Sequence, residues 1–289
     1  MIKKEKKLSH KPLHIGSYAM IVCTVFFVFF PIVIMLTTSI MSKYEAGQTN
    51  WRLWPKEGVT FESYRMLLFD KVGVGGYSLM QGFFNTMAYY LGPTIINVLV
   101  SAMAAFAFAK IKFRLSGPMF GILMFAMMLP NSMGLIVSFL VFDKLYWINT
   151  PLPIVVPQLF GSISCVFFLR QFYMSVPDDL LGSAKIDGLG YFGSFTRIML
   201  PISTPALVAQ FILTFIVGYN DYLAPLMYLS DPKSATLQVM LAGMQNPLVE
   251  NWPLRMASCV VAMVPLVTLY LIAQKAMLKG MEMSSGIKG

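Results

Sequence analysis

The sequence predicts an all-α membrane protein with six transmembrane helices and a helical cytoplasmic loop between helices 4 and 5. Three observations lead there. The 289 residues are 57% hydrophobic and only 12% charged, with a mean hydropathy of +0.67. An average soluble domain carries roughly 25% charged residues, so this chain has about half the usual supply for a wetted surface. The apolar residues fall in long blocks rather than at one helical or strand period, and the cations cluster beside those blocks. An ordinary soluble enzyme, a disordered tail and a disulfide scaffold are excluded. The net charge of +9 speaks for membrane orientation rather than for nucleic acid, because of where the cations sit.

A spanning helix needs ~20 mostly apolar residues to cross a ~30 Å core. Six stretches qualify: Ile15–Ile40, Phe83–Ala109, Pro118–Phe142, Pro151–Phe172, Pro205–Leu229 and Met256–Met277. The first is too long for a signal-peptide apolar region, and no small-x-small cleavage site follows it, so it is expected to remain as a span. Pro31, Pro130, Pro157 and Pro265 lie in or near spans. Kinked helices around a cavity are therefore expected, with neighbours or water satisfying the freed backbone groups.

Six spans put both termini on one side. The basic tail 1–14 holds Lys3, Lys4, Lys6, Lys7 and Lys11, and the next inward loop has Lys110, Lys112 and Arg114 with no acid. Arg170, Lys185 and Arg197 follow, then Lys275, Lys279 and Lys288, so that 14 of the 22 Lys and Arg fall inward. Both termini, 1–14 and 278–289, are accordingly expected in the cytoplasm. The six-helix domain, 15–277, is expected as a multi-pass unit in the cell (inner) membrane. Trp51, Trp54, Pro55, Phe61, Tyr64 and Leu67 suggest that the external segment 41–82 is a folded, amphipathic piece. It would serve either as an aromatic anchor at the headgroup level or as a dock for an external partner. Cys23, Cys165 and Cys259 lie in apolar blocks without metal-ligand spacing, and buried free thiols are expected.

The long inward loop, 175–204, carries the most information. Ser175 followed three residues later by Asp178 reads as a helix start, with Pro177 tolerated in the first turn. Asp178 and Asp179 sit where the positive end of the helix dipole favours carboxylates. Leu180, Leu181 and Ala184 share a face, and Gly188 suits a left-handed stop. A second short helix, Tyr191–Met199, is expected to end at Pro201. The apolar face of this knob must cover either the chain's own bundle or the groove of another protein.

Polar residues inside spans are the candidates for a solute path. Asp221 is the only acid within a span, flanked by Asn220 and Tyr222 near the outer half of span five. An intramembrane carboxylate is costly to desolvate and so points to function, against a helix–helix hydrogen bond as the structural alternative. Asn85 and Asn131, with Asn97 and Gln158, line a cavity or act as interhelical glue. No catalytic constellation exists: His10 and His14 are the two histidines, and HExxH, GxSxG and GxxxxGK[ST] are all absent. No catalytic residue, cofactor or metal is expected, and any energy must come from a partner.

The pattern Asp179-Leu180-x-Gly182-Ser183-Ala184-x-x-Asp187-Gly188, with Pro201 thirteen residues on, resembles the signature loop of permease subunits of binding-protein-dependent ABC importers. The resemblance continues through Asn85-Thr86, Ser101, Ala104-Ala105-Phe106-Ala107 and Phe113. Beyond these come Pro130, Asn149-Thr150, Arg170-Gln171-Phe172, Asn220-Asp221-Tyr222, Pro225, Thr236-Leu237, and the tail from Gly280 to Gly289. It is most similar to the second permease subunit of maltose-type carbohydrate importers. The resemblance implies that 175–204 forms coupling helices seated in a cleft of the ATPase. It also implies a second homologous permease subunit, two ATP-binding subunits, an external solute-binding protein, and a sugar substrate moved by alternating access. The family usually has Glu-Ala-Ala where this chain has Gly182-Ser183-Ala184, so a carboxylate is missing from the loop. An ion-coupled secondary transporter is the alternative, disfavoured by a single intramembrane acid and no visible repeat.

Overall fold

Apolar blocks fold as helices here because, in a lipid core, an α-helix satisfies every backbone N–H and C=O within its own segment. A computed structural model of the protein describes residues 15–48, 53–70, 74–244 and 251–286, and among these helix is the only extended regular structure. The helices are α1 Ile15–Ser39, α2 Lys43–Ala46, α3 Glu62–Phe69, α4 Leu79–Lys110, α5 Ser116–Met127, α6 Asn131–Lys144, α7 Leu152–Gln158 and α8 Ile163–Met174. They continue with α9 Asp179–Ile186, α10 Tyr191–Ser194, α11 Leu200–Ile202, α12 Thr204–Tyr219, α13 Leu223–Tyr228, α14 Leu237–Gly243 and α15 Trp252–Gly286. Two units divide the chain, 1–64 with 250–260 and 65–249 with 261–289.

In the smaller unit the described residues between 39 and 64 are held by local hydrogen bonds. Ser42 caps α2 by accepting the Glu45 N–H at 3.1 Å. Glu45, 6% exposed, accepts the Lys56 N–H at 2.6 Å. Ser39 and Tyr64 pair their hydroxyls at 2.7 Å, and the Thr60 N–H reaches the Ile40 carbonyl at 2.9 Å.

In the larger unit α4 is the central helix. Its Val98, Ala102, Ala105 and Phe106 pack with Cys165, Val166, Leu169 and Tyr173 of α8, and with Phe195, Met199 and Ala206 beyond. Small side chains on one helix let a neighbouring backbone approach closely, which is how membrane helices associate without a hydrophobic drive between them. Gly161 (φ +84) marks one such approach: a Cβ there would stand 2.9 Å from the Ser101 hydroxyl oxygen.

Among the described residues, four helices are long and apolar enough to cross a membrane: Gly16–Ser39, Leu79–Lys110, Leu152–Met174 (α7 with α8) and Trp252–Gln274. A fifth arises if Tyr191–Ile202 and Thr204–Tyr219, bent by 78°, are one span. The expected single helix over Pro118–Phe142 is two, α5 of 12 residues and α6 of 14. Pro130 supplies no N–H and disfavours helical backbone at Leu129, and neither piece reaches ~20 residues. The expected span Pro205–Leu229 is likewise divided at 220–222, between α12 and α13. All three cysteines are free; Cys165 is buried and Cys259 half-buried. Cys23 is exposed, contrary to expectation, because the amino-terminal half of α1 is exposed all round. The lysines of 1–14, Trp51 and Lys288 lie outside the described residues, as do the side chains of Asn131, Lys275 and Lys279.

Candidate functional site

The inward loop is strapped to the bundle by a residue from the far end of α4. Lys110 donates from Nζ to the Val176 carbonyl at 2.6 Å and to Asp178 Oδ1 at 2.5 Å. Its own side chain is 5% exposed while that of Asp178 is 84% exposed. The Lys110 hydrogen bond and charge, with Lys112 behind them, hold the Asp178 carboxyl below the usual carboxylate range.

This strap also moves the expected helix start. Ser175 closes α8, donating to the Phe172 carbonyl at 2.7 Å, and the Asp178 carboxylate is taken by Lys110. The helix α9 therefore begins at Asp179 without a side-chain cap. Ala184 is 3% exposed and Leu181 packs on the bundle core, while Leu180 (42%) and Ile186 (88%) point away. Gly188 at φ +80 makes the left-handed stop, and the Leu189 N–H reaches back to the Ala184 carbonyl at 2.9 Å, the six-to-one bond of such an ending. Gly182, Ser183 and Asp187 are exposed.

Pro201 does not end the following helix. Residues Phe195–Met199 form a π turn in which the Leu200 N–H bonds the Phe195 carbonyl. That wider register accommodates a residue with no N–H, whose ring would clash with the carbonyl four back in a plain α-helix. The chain bends only at Ser203, where the buried Tyr173 hydroxyl and Ser203 Oγ lie 3.2 Å apart. The knob thus presents two apolar faces. Leu181 and Ala184 cover the chain's own bundle; Leu180, Ile186, Tyr191 and Phe192 are left exposed. Beneath it lies a cavity of about 340 Å³ lined by Phe106, Lys110, Leu181, Lys185, Tyr191 and Ser194, among others.

The second group sits at the other end of α12, 16 residues long. Tyr90 donates its hydroxyl to Asp221 Oδ2 at 3.1 Å, and the Ala224 N–H reaches Asp221 Oδ1 at 3.3 Å. Asn220 donates to the Ile216 carbonyl at 2.9 Å and accepts from Gln238 at 3.1 Å. Tyr222 is 37% exposed. Asn85 gives its amide to the carbonyls of Lys233 (2.8 Å) and Ala235 (2.9 Å) and accepts from Gln81. Next to it, buried Thr86 takes the Leu237 N–H at 2.9 Å. Asn85, Asn220 and Asp221 are thereby linked in one polar wall of α4, α12 and α14. Asn131 begins α6, and its side chain lies outside the described residues.

Several residues escaped the sequence reading. Lys110 registered only as one of the inward cations; its partner is 68 residues away, and no periodicity links positions that far apart. Arg170 donates to the Phe108 carbonyl at 3.3 Å and lies 4.0 Å over the Phe120 ring, which joins α8 to α4 and α5. The hint of either was a cation at the end of an apolar block, with Arg170 also part of the resemblance, and neither signal names a partner. No cluster of metal-ligating side chains exists among the described residues.

Residues 97–283 match the family described as binding-protein-dependent transport system inner membrane component. The chain is 29% identical over 262 residues to the arabinooligosaccharides transport system permease protein AraQ of Bacillus subtilis (strain 168), covering 90% of each. It is 27% identical over 275 residues to the sn-glycerol-3-phosphate transport system permease protein UgpE of Salmonella typhi, covering 94% of this chain and 97% of that one. Among solved structures, a chain of a bacterial ABC transporter involved in the import of the acidic polysaccharide alginate matches with a TM-score of 0.78 at 21% identity, covering 94% and 99%. Another, from the alginate transporter in complex with an alginate pentasaccharide-bound periplasmic protein, matches with a TM-score of 0.65 at 14% identity. The chain belongs to the family of inner membrane components of binding-protein-dependent transport systems, as an ABC-importer permease subunit that leaves ATP hydrolysis to partner chains.

Proposed function

We propose that this subunit passes a carbohydrate, of di- or oligosaccharide size, from an external binding protein across the membrane by alternating access. A second permease and two ATP-hydrolysing chains complete the assembly. The observation that carries the coupling part is the strapped knob, whose exposed Leu180, Ile186, Tyr191 and Phe192 are free to enter a cleft on a partner while Lys110 ties its base to α4. A rigid link of this kind turns a displacement at the knob into movement of α4 and α12. The coupling residues are Asp179, Leu180, Gly182, Ser183, Ala184, Asp187, Gly188 and Pro201. The carbohydrate class rests on the substrates of similar permeases, arabino-oligosaccharides and alginate among them.

In this reading α5 with α6 forms the third crossing around Pro130, and α12 with α13 forms the fifth. Six spans then fill 15–277, with the segment 41–82 outside, the loop 175–204 inside, and both tails, 1–14 and 278–289, in the cytoplasm. Asn220, Asp221 and Tyr222, with Asn85 in the same wall and Asn131 at the head of α6, line the solute path.

Co-purification from native membranes in mild detergent tests the assembly: a second permease and an ATPase are expected to co-elute. Deleting 183–188, or Asp187→Lys, leaves the subunit inserted but abolishes coupled uptake. ATPase association that survived the deletion unchanged would remove the coupling role. Thiol labelling of single cysteines placed in 110–116 and 183–188 of a cysteine-free chain, expected only in inside-out vesicles, tests the orientation.

A further inference from the structure

Between the end of α4 and the start of α5 the chain makes a turn, 111–115, with two exposed cations. Lys110 is engaged with Val176 and Asp178. Lys112 and Arg114 are exposed and make no described hydrogen bond or ion pair; Lys112 acts on Asp178 only at a distance, through its charge. Together with Phe108, Phe113 and Ser116 these residues border an open cleft of about 530 Å³. Its single acid, Asp178, is already paired with Lys110, so the charge left facing the cleft is positive. Apolar surface adjoins it: Leu115 (59%), Met119 (47%) and Ile122 (68%) are exposed on and before α5. Positive charge beside exposed apolar side chains, at the end of a membrane-length helix, fits one chemistry: a phosphate group carrying acyl chains.

We propose that this cleft seats the headgroup of an anionic phospholipid of the inner leaflet, its phosphate held by Lys112 and Arg114 and its acyl chains laid along Leu115, Met119 and Ile122. The leaflet rests on the inward orientation of 110–116 given above; the lipid site itself rests on the cleft. Occupancy brings a negative group next to the turn that leads from α4, the helix carrying the Lys110 strap, into α5.

The test is native mass spectrometry of the intact transporter complex in detergent, titrated with phosphatidylglycerol or phosphatidylcholine. Each basic side chain near an anionic leaflet is worth about fivefold in partition. The double variant Lys112→Gln/Arg114→Gln is thus expected to lose about thirtyfold in affinity for phosphatidylglycerol and none for phosphatidylcholine. Lys112→Arg/Arg114→Lys retains the preference, and Lys185→Gln, a cation on another element, leaves it intact. Equal retention of both lipids by the native complex, or an equal loss on Lys185→Gln, overturns the site. Displacement of phosphatidylglycerol by millimolar inorganic phosphate would mean a free-anion site rather than a lipid one. Labelling of a cysteine at 112 only from the outer side would overturn the inner-leaflet assignment even with lipid bound.

Discussion

Gly182 stands where the family usually has a glutamate, and its surroundings say what that substitution does locally. A Cβ added there meets nothing within 4 Å, so the site has room for any side chain. Gly182→Glu is expected to stabilise α9 by up to about 1 kcal/mol, since glycine weakens a helix interior by that much. Slower hydrogen exchange of the 179–187 amides would show it, and ATPase association measured on the same variant would show whether the added carboxylate finds a partner. The Lys110–Asp178 strap makes a pH prediction whose sign is fixed by direction. Asp178 is held below the ordinary carboxylate value near ~3.9 by Lys110. Its contribution is therefore full above that value and is lost as pH falls through the lowered one. Knob protection should be flat from pH 7 to 5 and should fall only in stronger acid. Asp178→Asn should remove the acid dependence and leave the Lys110–Val176 bond. A loss of protection at pH 6 would assign the strap to some other group.

The elements show which features are visible in a linear sequence. Block length predicted the long helices α1, α4 and α15 but not the breaks in the third and fifth blocks, and Gly188 predicted its left-handed stop, because block length and a stop residue are both local. Ser175 misled because its hydroxyl serves the last turn of α8 and its would-be partner Asp178 serves Lys110, a contact from another helix. Pro201 misled because a π turn upstream absorbs it, and no residue type announces a π turn. Of the polar wall, Asp221 could be singled out in the sequence as a lone acid in an apolar block, whereas nothing in the sequence pairs it with Tyr90, its donor from α4 and one of 13 tyrosines. The closeness of α4 and α12 supplies a further test. A Cβ on Gly218 would run into the Tyr90 ring, so Gly218→Ala must displace that ring and break its bond to Asp221. Overpacking of this sort costs about 1–3 kcal/mol. The melting temperature in detergent should fall, and uptake should drop toward that of Tyr90→Phe; a fully stable Gly218→Ala would show that the two helices separate freely. At the bend, Tyr173→Phe should cost about 1 kcal/mol by removing one partner of a buried hydroxyl pair, again read from melting.

For the whole molecule, few charges and a large exposed apolar surface make sense only with lipid or partner chains as the solvent. In that setting a polar group kept inside must be either satisfied or used. Most are satisfied: Asn85 has three hydrogen-bond partners, Thr86 accepts from Leu237, and Tyr219 donates to the Ala262 carbonyl at 2.9 Å. Asp221 differs because it is an acid and sits at a break between two helices with half-exposed Tyr222 beside it. Its two described bonds come from a phenol and a backbone amide, and neither donor is a cation. A carboxylate meant only to join helices would do the same work as an amide oxygen, without the cost of keeping a charge away from water. Asp221→Asn preserves an oxygen acceptor for Tyr90 and removes the acid. Insertion, assembly and melting temperature are therefore expected to hold, while uptake of the transported sugar falls by tenfold or more, a loss of about 1.4 kcal/mol or greater in transition-state stabilisation. Unchanged uptake with unchanged stability would take Asp221 out of the solute path and leave it as a helix joint; a fall in both would make the charge part of the fold.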